Sequence, residues 1–203
     1  MTQKLFIATK NKHKTEEFRR MLLPLGFEVI SEADLEISLP EVEETGETFE
    51  ENSMLKAISG MKATGLPTVA DDSGLCVDAL GGQPGVYSAR FAGEASTDKQ
   101  NNDLLLSRLK GVEPLERTAR FVCCISAVFP EGQILTARGE CEGLIGLEPV
   151  GENGFGYDCL FISRLGCFGT LSPSEKDSVS HRSKALKVFL EELKKYVNRE
   201  KKC

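Results

Sequence analysis

The sequence lacks an apolar run approaching the roughly 18 residues that a membrane-spanning helix needs. Its N-terminus also lacks the charged and apolar regions of a secretory signal. The seven cysteines are an odd number without a CxxC pair, which favours reduced thiols over disulfides or a zinc site. We therefore expect a cytoplasmic chain with no membrane partner, in which Cys123, Cys124 and Cys159 lie in apolar segments and Cys203 is exposed.

The chain also lacks an excess of basic over acidic residues. Its formal net charge is −6, whereas nucleic-acid binding usually requires a basic surface, so a nucleic-acid partner is not expected. Its 203 residues contain no internal repeat and no low-complexity linker. An apolar content of 40% and a charged content of 28% are ordinary for a globular protein. A single domain over residues 1–203 is expected.

Apolar patterns typical of strands alternate with patterns typical of helices, which predicts an α/β fold. Strands are expected at residues 4–9, 27–30, 66–72 and 157–163, with a hairpin over 117–129 and 133–145. Helices are expected at residues 15–25, 48–64, 97–110 and 183–197, and the spacing of Thr48 and Glu51 is that of a capping box.

The adjacent carboxylates Asp71 and Asp72 follow a short apolar segment and precede Ser73 and Gly74. Neighbouring strand residues point to opposite faces, so one aspartate can face a cleft while the other turns inward. Mg²⁺ is held by one or two such carboxylates together with substrate phosphates. Asp-Asp-Ser-Gly is equally good turn chemistry, so by itself this motif leaves both interpretations open.

Two basic segments are candidates for phosphate binding because each is expected at a helix N-terminus, where free N–H groups and the helix dipole favour an anion. The first is the loop Lys10–Lys14, which lacks the glycines of a Walker loop. The second spans 174–184 and contains Lys176, His181 and Arg182. A solvated basic turn is the alternative for the first segment, and a structural polar contact is the alternative for His181.

Two further segments are candidates for ligand chemistry. The acidic loop at residues 41–44 could supply a metal ligand or favour the dipole of the helix that follows it. The loop 153–158 places Phe155 and Tyr157 next to glycines and ends on Asp158, which suits a planar base stacked on an aromatic ring. A turn with core aromatics explains this second loop equally well.

Together these motifs resemble the signature set of the inosine triphosphate pyrophosphatase family, also called the Ham1 family. The matching blocks are IATKNKHK, EETGETFEENSMLKA, ADDSGLCVDALGGQPGVYSARFAG, NGFGYD and SEKDSVSHRSKAL. They occur in the order of the family and span nearly the whole chain. The departures are Asn153, where the family usually has glycine, and Cys159, where proline is common.

The resemblance implies an α/β fold with an elongated central mixed sheet, two α/β lobes and an active-site cleft between them, and it implies a homodimer. It implies Mg²⁺-dependent hydrolysis of ITP, dITP and XTP to the nucleoside monophosphate and pyrophosphate, which removes deaminated purines from the nucleotide pool. A Maf-type nucleotide pyrophosphatase and a nucleotide sensor without turnover are the alternatives.

The resemblance also implies roles for individual residues. Asp72 is implied as general base and metal ligand, and Glu43 or Glu44 as the second acidic metal position. The residues implied in substrate binding are Thr9, Lys10, Asn11, Lys12, His13, Lys14, Lys56, Ser73, Phe155, Gly156, Tyr157, Asp158, Lys176, His181 and Arg182.

Overall fold

The computed structural model describes residues 3–35 and 42–200. The strands in these ranges are β1 (Gln3–Ile7), β2 (Phe27–Ile30), β3 (Thr68–Val77), β4 (Thr118–Val128), β5 (Ile134–Ile145), β6 (Phe161–Ser163) and β7 (Gly166–Cys167). The helices are α1 (Lys12–Leu22), α2 (Glu32–Leu35), α3 (Phe49–Thr64), α4 (Asp98–Arg108), α5 (Pro173–Val179) and α6 (His181–Glu200). Glu41 of the acidic loop and Cys203 lie outside the described residues.

The strands form one seven-stranded sheet in the order β2-β1-β3-β4-β5-β6-β7. Strand β1 is parallel to both β2 and β3, whereas β6 is antiparallel to β5 and β7. The predicted α/β fold with a mixed sheet is therefore confirmed. The predicted hairpin is confirmed as β4 and β5, whose turn is closed by a hydrogen bond from Phe129 N to Gln133 O.

The chain divides into two compact units. The first contains residues up to 72, residues 124–138 and residues from 185 on, and the second contains 73–123 and 139–184. Each unit has its own apolar core. The first core is built around Phe6, Ile30 and Ala57, and the second around Leu105, Phe161 and Phe168. The expectation of one domain over the whole chain stays a prediction.

The first helix begins earlier than the sequence predicted. Residues 12–14 were expected in a loop, but α1 already starts at Lys12, because Asn11 is its N-cap and accepts a hydrogen bond from Lys14 N. The helix ends at Leu22 and is followed by a separate 3-10 turn, Leu23–Leu25, which contains Pro24 and is closed by a hydrogen bond from Gly26 N to Leu23 O. The predicted bounds of 15–25 were therefore wrong at both ends, although the helix itself is confirmed.

Strand β3 does not end at Asp72. It continues through Ser73 and Gly74 to Val77, and both aspartates are buried within it. The prediction of a strand end there was wrong, and so was the alternative of a polar turn. A lysine from each of two helices pairs with one of the carboxylates, so the strand can continue through them.

The segment after the second glycine loop is mostly a turn. A strand was predicted from Tyr157 to Ser163, but β6 covers only Phe161–Ser163. Hydrogen bonds from Asp158 N to Phe155 O and from Leu160 N to Tyr157 O close successive turns. The local turn bonds replace the sheet bonds that a longer strand would need.

The basic segment near residue 180 also differs from its prediction. The helix expected at 183–197 begins at His181, and a separate short helix, α5, precedes it with Ser180 between them. Lys176 therefore lies inside α5 and not at the start of the last helix. The expectation of a cluster of cations at one helix N-terminus was wrong for this residue.

Within residues 3–35 and 42–200, no cysteine forms a disulfide with another; Cys123 and Cys124 are buried and Cys159 is half-buried. The expectation of reduced cysteines stays a prediction. Within the same ranges, the structure contains no helix with the length and apolar character that crossing a membrane requires.

Candidate active site

Two neighbouring carboxylates on β3 each pair with a lysine from a different helix. Asp71 Oδ2 lies 3.0 Å from Lys14 Nζ of α1, and Asp72 Oδ1 lies 2.9 Å from Lys56 Nζ of α3. Successive strand residues point to opposite faces, which explains why each aspartate has its own lysine. All four charged groups belong to the first unit. The structure thus brings together Asp72, Lys14 and Lys56, all candidates from the sequence, and adds Asp71.

Lys56 also contacts the acidic loop. Its Nζ lies 3.3 Å from Glu44 Oε1, whereas Glu43 is exposed. Of the two glutamates that the sequence did not separate, Glu44 is therefore the one that shares an ammonium group with Asp72. The arrangement places two carboxylates around one cation.

Asn52 is a member of this cluster that the sequence analysis missed. Its Nδ2 donates to Asp72 Oδ2 at 3.4 Å and to Gly46 O at 3.3 Å, and its Oδ1 accepts from Gly46 N at 2.8 Å. Residues four apart share a helix face, so the spacing of Asn52 and Lys56 could have indicated it. Asn52 connects the loop before α3 to the Asp72 carboxylate.

The electrostatics of the cluster favour a charged lysine and a basic carboxylate. Burial raises the pKa of Asp72, and the nearby Lys56 and Lys14 only partly offset it. Burial lowers the pKa of Lys56, but the charges of Asp72, Glu44 and Asp71 outweigh that effect and the net shift is upward. A carboxylate with a raised pKa has a higher affinity for a proton, as a general base requires.

The N-terminus of α1 is organised by a chain of short-range hydrogen bonds. Asn11 N donates to Thr9 Oγ1, and Lys14 N donates to Asn11 Oδ1, both at 3.2 Å. Lys10, Lys12 and His13 are exposed at this end of the helix. A helix N-terminus surrounded by cations is suited to binding an anion.

The carboxylates near Lys56 fit a hard divalent cation only with help from a substrate. Residues 3–35 and 42–200 contain no group of three or more His, Cys, Asp or Glu side chains arranged to hold a metal. Mg²⁺ usually takes only one or two carboxylates and completes its shell with phosphate oxygens and water. Asp72 and Glu44, which already surround one cation, match that requirement.

The second unit contains the glycine loop 153–158, which is organised around Asp158. Asp158 Oδ2 accepts from Phe155 N at 2.9 Å and from Lys176 Nζ at 2.6 Å, and both charged side chains are buried. Lys176 Nζ also lies 4.8 Å from the centroid of the Phe155 ring, a cation–π distance. Phe155, Asp158 and Lys176 thus form one contact group.

Several amides of this loop are already used inside the protein. Besides Phe155 N, Gly156 N donates to Asp98 Oδ2 at 2.7 Å, and Asn153 N donates to Gly169 O at 2.9 Å. These three N–H groups are therefore unavailable to a bound purine in this conformation. Asn153, one of the two departures from the family pattern, also donates from Nδ2 to Leu171 O at 3.1 Å.

Tyr157 has a different setting from Phe155. It is buried, and its hydroxyl donates to Ser88 O at 2.8 Å. A stacking surface for a base must be accessible, so of the two aromatic rings Phe155, which is half-buried, is the better placed. Tyr157 instead anchors the loop to the segment that contains Ser88.

The remaining predicted residues of this unit lie at the start of α6 and on β3. Arg182 is 1% exposed and donates from Nη2 to Ser73 Oγ at 3.2 Å. The ring of His181 stacks on Phe121, with 4.8 Å between the ring centroids. The structure therefore brings Arg182 and Ser73 together, and it packs His181 against the aromatic core.

Comparison with known proteins assigns this combination of elements to a family. A model of the Ham1 family matches residues 5–192. The chain belongs to the Ham1 family. This confirms the resemblance that the sequence motifs indicated.

Individual Ham1-family proteins are similar over almost their whole length. A dITP/XTP pyrophosphatase of an Exiguobacterium species is 54% identical and is aligned over 91% of this chain and 93% of its own. The dITP/XTP pyrophosphatase of Haemophilus influenzae is 49% identical over 95% of this chain and 100% of its own. The solved structure of a HAM1 protein from Coxiella burnetii is 36% identical, covers 95% of this chain and 99% of its own, and has a TM-score of 0.84.

Proposed function

We propose that this chain hydrolyses the deaminated purine nucleoside triphosphates ITP, dITP and XTP to the monophosphate and pyrophosphate. The observation that carries the proposal is the pair of buried aspartates on β3, each with its own lysine, in a chain about half identical to dITP/XTP pyrophosphatases. Such an enzyme removes deaminated purines from the nucleotide pool.

Asp72 acts as the general base in this proposal. Its carboxylate accepts a proton from the water that attacks the α-phosphorus, and Asn52 and Lys56 fix its orientation. Lys14 and Lys56 stabilise negative charge on the phosphate oxygens, and the amides at the N-terminus of α1 add to this effect. Thr9 and Asn11 shape that terminus, and the exposed Lys10, Lys12 and His13 attract the triphosphate.

We further propose Mg²⁺ as the cofactor, with Asp72 and Glu44 as its protein ligands. Held by these carboxylates, Mg²⁺ would neutralise charge on the phosphate oxygens and so favour attack of the nucleophile on phosphorus. Glu43, which the resemblance left as an alternative, is exposed and is not assigned a role.

Removal of divalent cations with EDTA is expected to abolish pyrophosphate release, and excess Mg²⁺ is expected to restore it. Glu44→Gln should raise the Mg²⁺ concentration for half-maximal activity about tenfold, a typical loss for one ligand or supporting group. Glu43→Gln is the matched control and should leave this concentration unchanged. Mg²⁺-independent activity, or a larger effect of Glu43→Gln than of Glu44→Gln, would contradict the assignment.

Recognition of the base rests on Phe155, Lys176 and Arg182 in this proposal. Phe155 stacks on the purine, and side-chain donors from Lys176 and Arg182 hydrogen-bond to the 6-keto oxygen. Adenine carries a 6-amino group, so it would place a donor against these donors and leave buried polar groups unpaired. Such a mismatch can cost several orders of magnitude in selectivity.

The identity of the products tests the reaction directly. ITP incubated with the enzyme and Mg²⁺ should give IMP and pyrophosphate in equal amounts, measured by ion-exchange chromatography. Formation of IDP and inorganic phosphate would instead show cleavage of the terminal bond and would overturn the assignment. Binding of ITP without any product would favour a sensor.

We also propose that the chain is a cytoplasmic homodimer, in agreement with the family resemblance. Sedimentation equilibrium of the purified chain should give twice the 22.2 kDa mass of one copy. A mass of 22.2 kDa at micromolar concentration would contradict the dimer.

A further inference from the structure

Helix α4 contacts both backbone polar groups of one residue, Gly156, in the loop 153–158. Asp98 Oδ2 accepts from Gly156 N at 2.7 Å, and Asn102 Nδ2 donates to Gly156 O at 3.0 Å. Because Asp98 and Asn102 are four residues apart, they share one face of the helix. These two side chains, the α4 pair, therefore determine the orientation of both backbone polar groups of Gly156.

Gly156 needs such support because of its backbone conformation. It lies in the left-handed region with φ +61°, and Gly154 lies there too with φ +80°. A glycine between such turns has many alternative conformations. Asp158 holds the Phe155 side of the turn through Phe155 N. The α4 pair holds the two peptide groups that flank Gly156, one shared with Phe155 and one shared with Tyr157.

Helix α4 is well suited to be a rigid support. Its N-terminus has a capping box formed by Thr97 and Gln100. At its other end, Arg117 donates to Leu109 O at 3.0 Å and to Val112 O at 3.1 Å. Leu105 and Leu109 are fully buried in the core of the second unit. Groups on packed helices position a site more accurately than groups on loops.

We propose that Asp98 and Asn102 are positioning residues that determine purine selectivity by fixing the backbone of the base-reading loop. The proposal rests on the proposed function, in which Phe155 and Lys176 contact the base. Displacement of Gly156 would move the adjacent Phe155 ring and the Asp158 carboxylate that holds Lys176. Neither residue of the pair is assigned contact with the reacting atoms, so their loss should affect substrate binding and selectivity more than turnover.

The first test removes the acceptor from α4. Asp98→Ala should raise KM for ITP about tenfold, the effect of losing a charge-assisted hydrogen bond, with a much smaller change in kcat. The preference for ITP over ATP, measured as a ratio of kcat/KM values, should fall by a similar factor. Asp98→Asn keeps an oxygen acceptor and should stay within about threefold of wild type.

The second test removes the donor. Asn102 is buried, and within the described ranges its Oδ1 has no hydrogen-bond partner, so Asn102→Leu removes chiefly the contacts of Nδ2. Those contacts are with Gly156 O and, at 3.4 Å, with Cys159 Sγ. The same rise in KM and the same loss of preference are expected as for Asp98→Ala.

Gln100→Ala is the matched control. It removes half of the capping box and destabilises the same helix end, but among the described residues the side chain of Gln100 bonds to Thr97, within the cap. It should lower the urea midpoint of unfolding and leave the ITP-to-ATP preference unchanged. An equal loss of preference in Gln100→Ala, or an unchanged preference in Asp98→Ala, would overturn the proposal.

Amide hydrogen exchange separates this inference from the proposed function. The Gly156 amide should exchange faster in Asp98→Ala than in wild type and Gln100→Ala, whatever the enzyme hydrolyses. Unchanged exchange would overturn the positioning role even if ITP is the substrate. Wild-type protein that releases no pyrophosphate from ITP, together with faster exchange in the variant, would overturn the proposed function and the selectivity role but keep the contact.

Discussion

Asp72→Asn is expected to lower kcat for ITP hydrolysis at least about a hundredfold, the usual contribution of a general base. Asparagine has nearly the same shape, but its carboxamide cannot accept the proton of the attacking water. The variant also leaves Lys56 with Glu44 as its remaining ion-pair partner among the described contacts, so a lower free energy of unfolding is expected. The measurement is the steady-state rate at saturating ITP, and circular dichroism verifies that the variant is folded.

Asp71→Asn is the matched variant for this experiment. It neutralises the adjacent carboxylate, which is equally buried and also pairs with a lysine. Because Lys14 is assigned to the phosphates and not to the proton transfer, we expect mainly a higher KM. A folded Asp72→Asn variant with wild-type kcat would remove Asp72 from the mechanism. An equal loss of kcat in both variants would show that turnover depends on the negative charge on β3 and not on a specific general base.

Asp158→Ala is expected to lower both stability and purine selectivity. It leaves the buried ammonium of Lys176 without the carboxylate at 2.6 Å and releases Phe155 N. Removing one partner of a buried ion pair typically costs about 3–5 kcal/mol. The urea midpoint should fall accordingly, and the preference for ITP over ATP should decrease because Phe155 and Lys176 lose their fixed positions.

The double variant Asp158→Asn with Lys176→Met separates the two effects. It removes both charges, so much of the stability should return, while the selectivity should stay low. Recovery of stability together with wild-type selectivity would contradict the role assigned to this pair. A single variant with unchanged stability would show that the ion pair is not maintained in solution.

Local signals in the sequence predicted much of the fold. The capping box of Thr48 and Glu51 and the αL cap at Gly65 fix both ends of α3, where the expected bounds are confirmed to within one residue. The long apolar patterns on either side of the turn at 130–132 identified the hairpin, in which β5 largely alternates between buried and more exposed residues and β4 is buried along most of its length. These elements are determined by residues close in sequence.

The secondary-structure predictions were wrong where other contacts outweigh the local conformational preference of the chain. Asp71 and Asp72 have the local chemistry of a turn, but their pairing with Lys14 and Lys56 keeps the strand extended through them. Lysines are unfavourable in the first turn of a helix, so the pattern of 12–14 indicated a loop. Capping by Asn11 outweighs that preference.

The candidate site was predictable in its residue types but not in its contacts. The motifs identified Asp72, Lys56 and the loop 153–158, whereas Glu43 and Glu44 are indistinguishable in sequence. Only the distance from Glu44 Oε1 to Lys56 Nζ distinguishes them. The α4 pair is separated from Gly156 by more than fifty residues, and no local pattern indicates that contact.

The most direct test of the account is a substrate panel of ITP, dITP, XTP, ATP, GTP and dTTP, assayed for pyrophosphate release with and without Mg²⁺. We expect Mg²⁺-dependent release from the inosine and xanthine nucleotides, with ATP and GTP slower by orders of magnitude. Release mainly from dTTP, or equal rates for ITP and ATP, would contradict the assignment of this chain as an enzyme that removes deaminated purines.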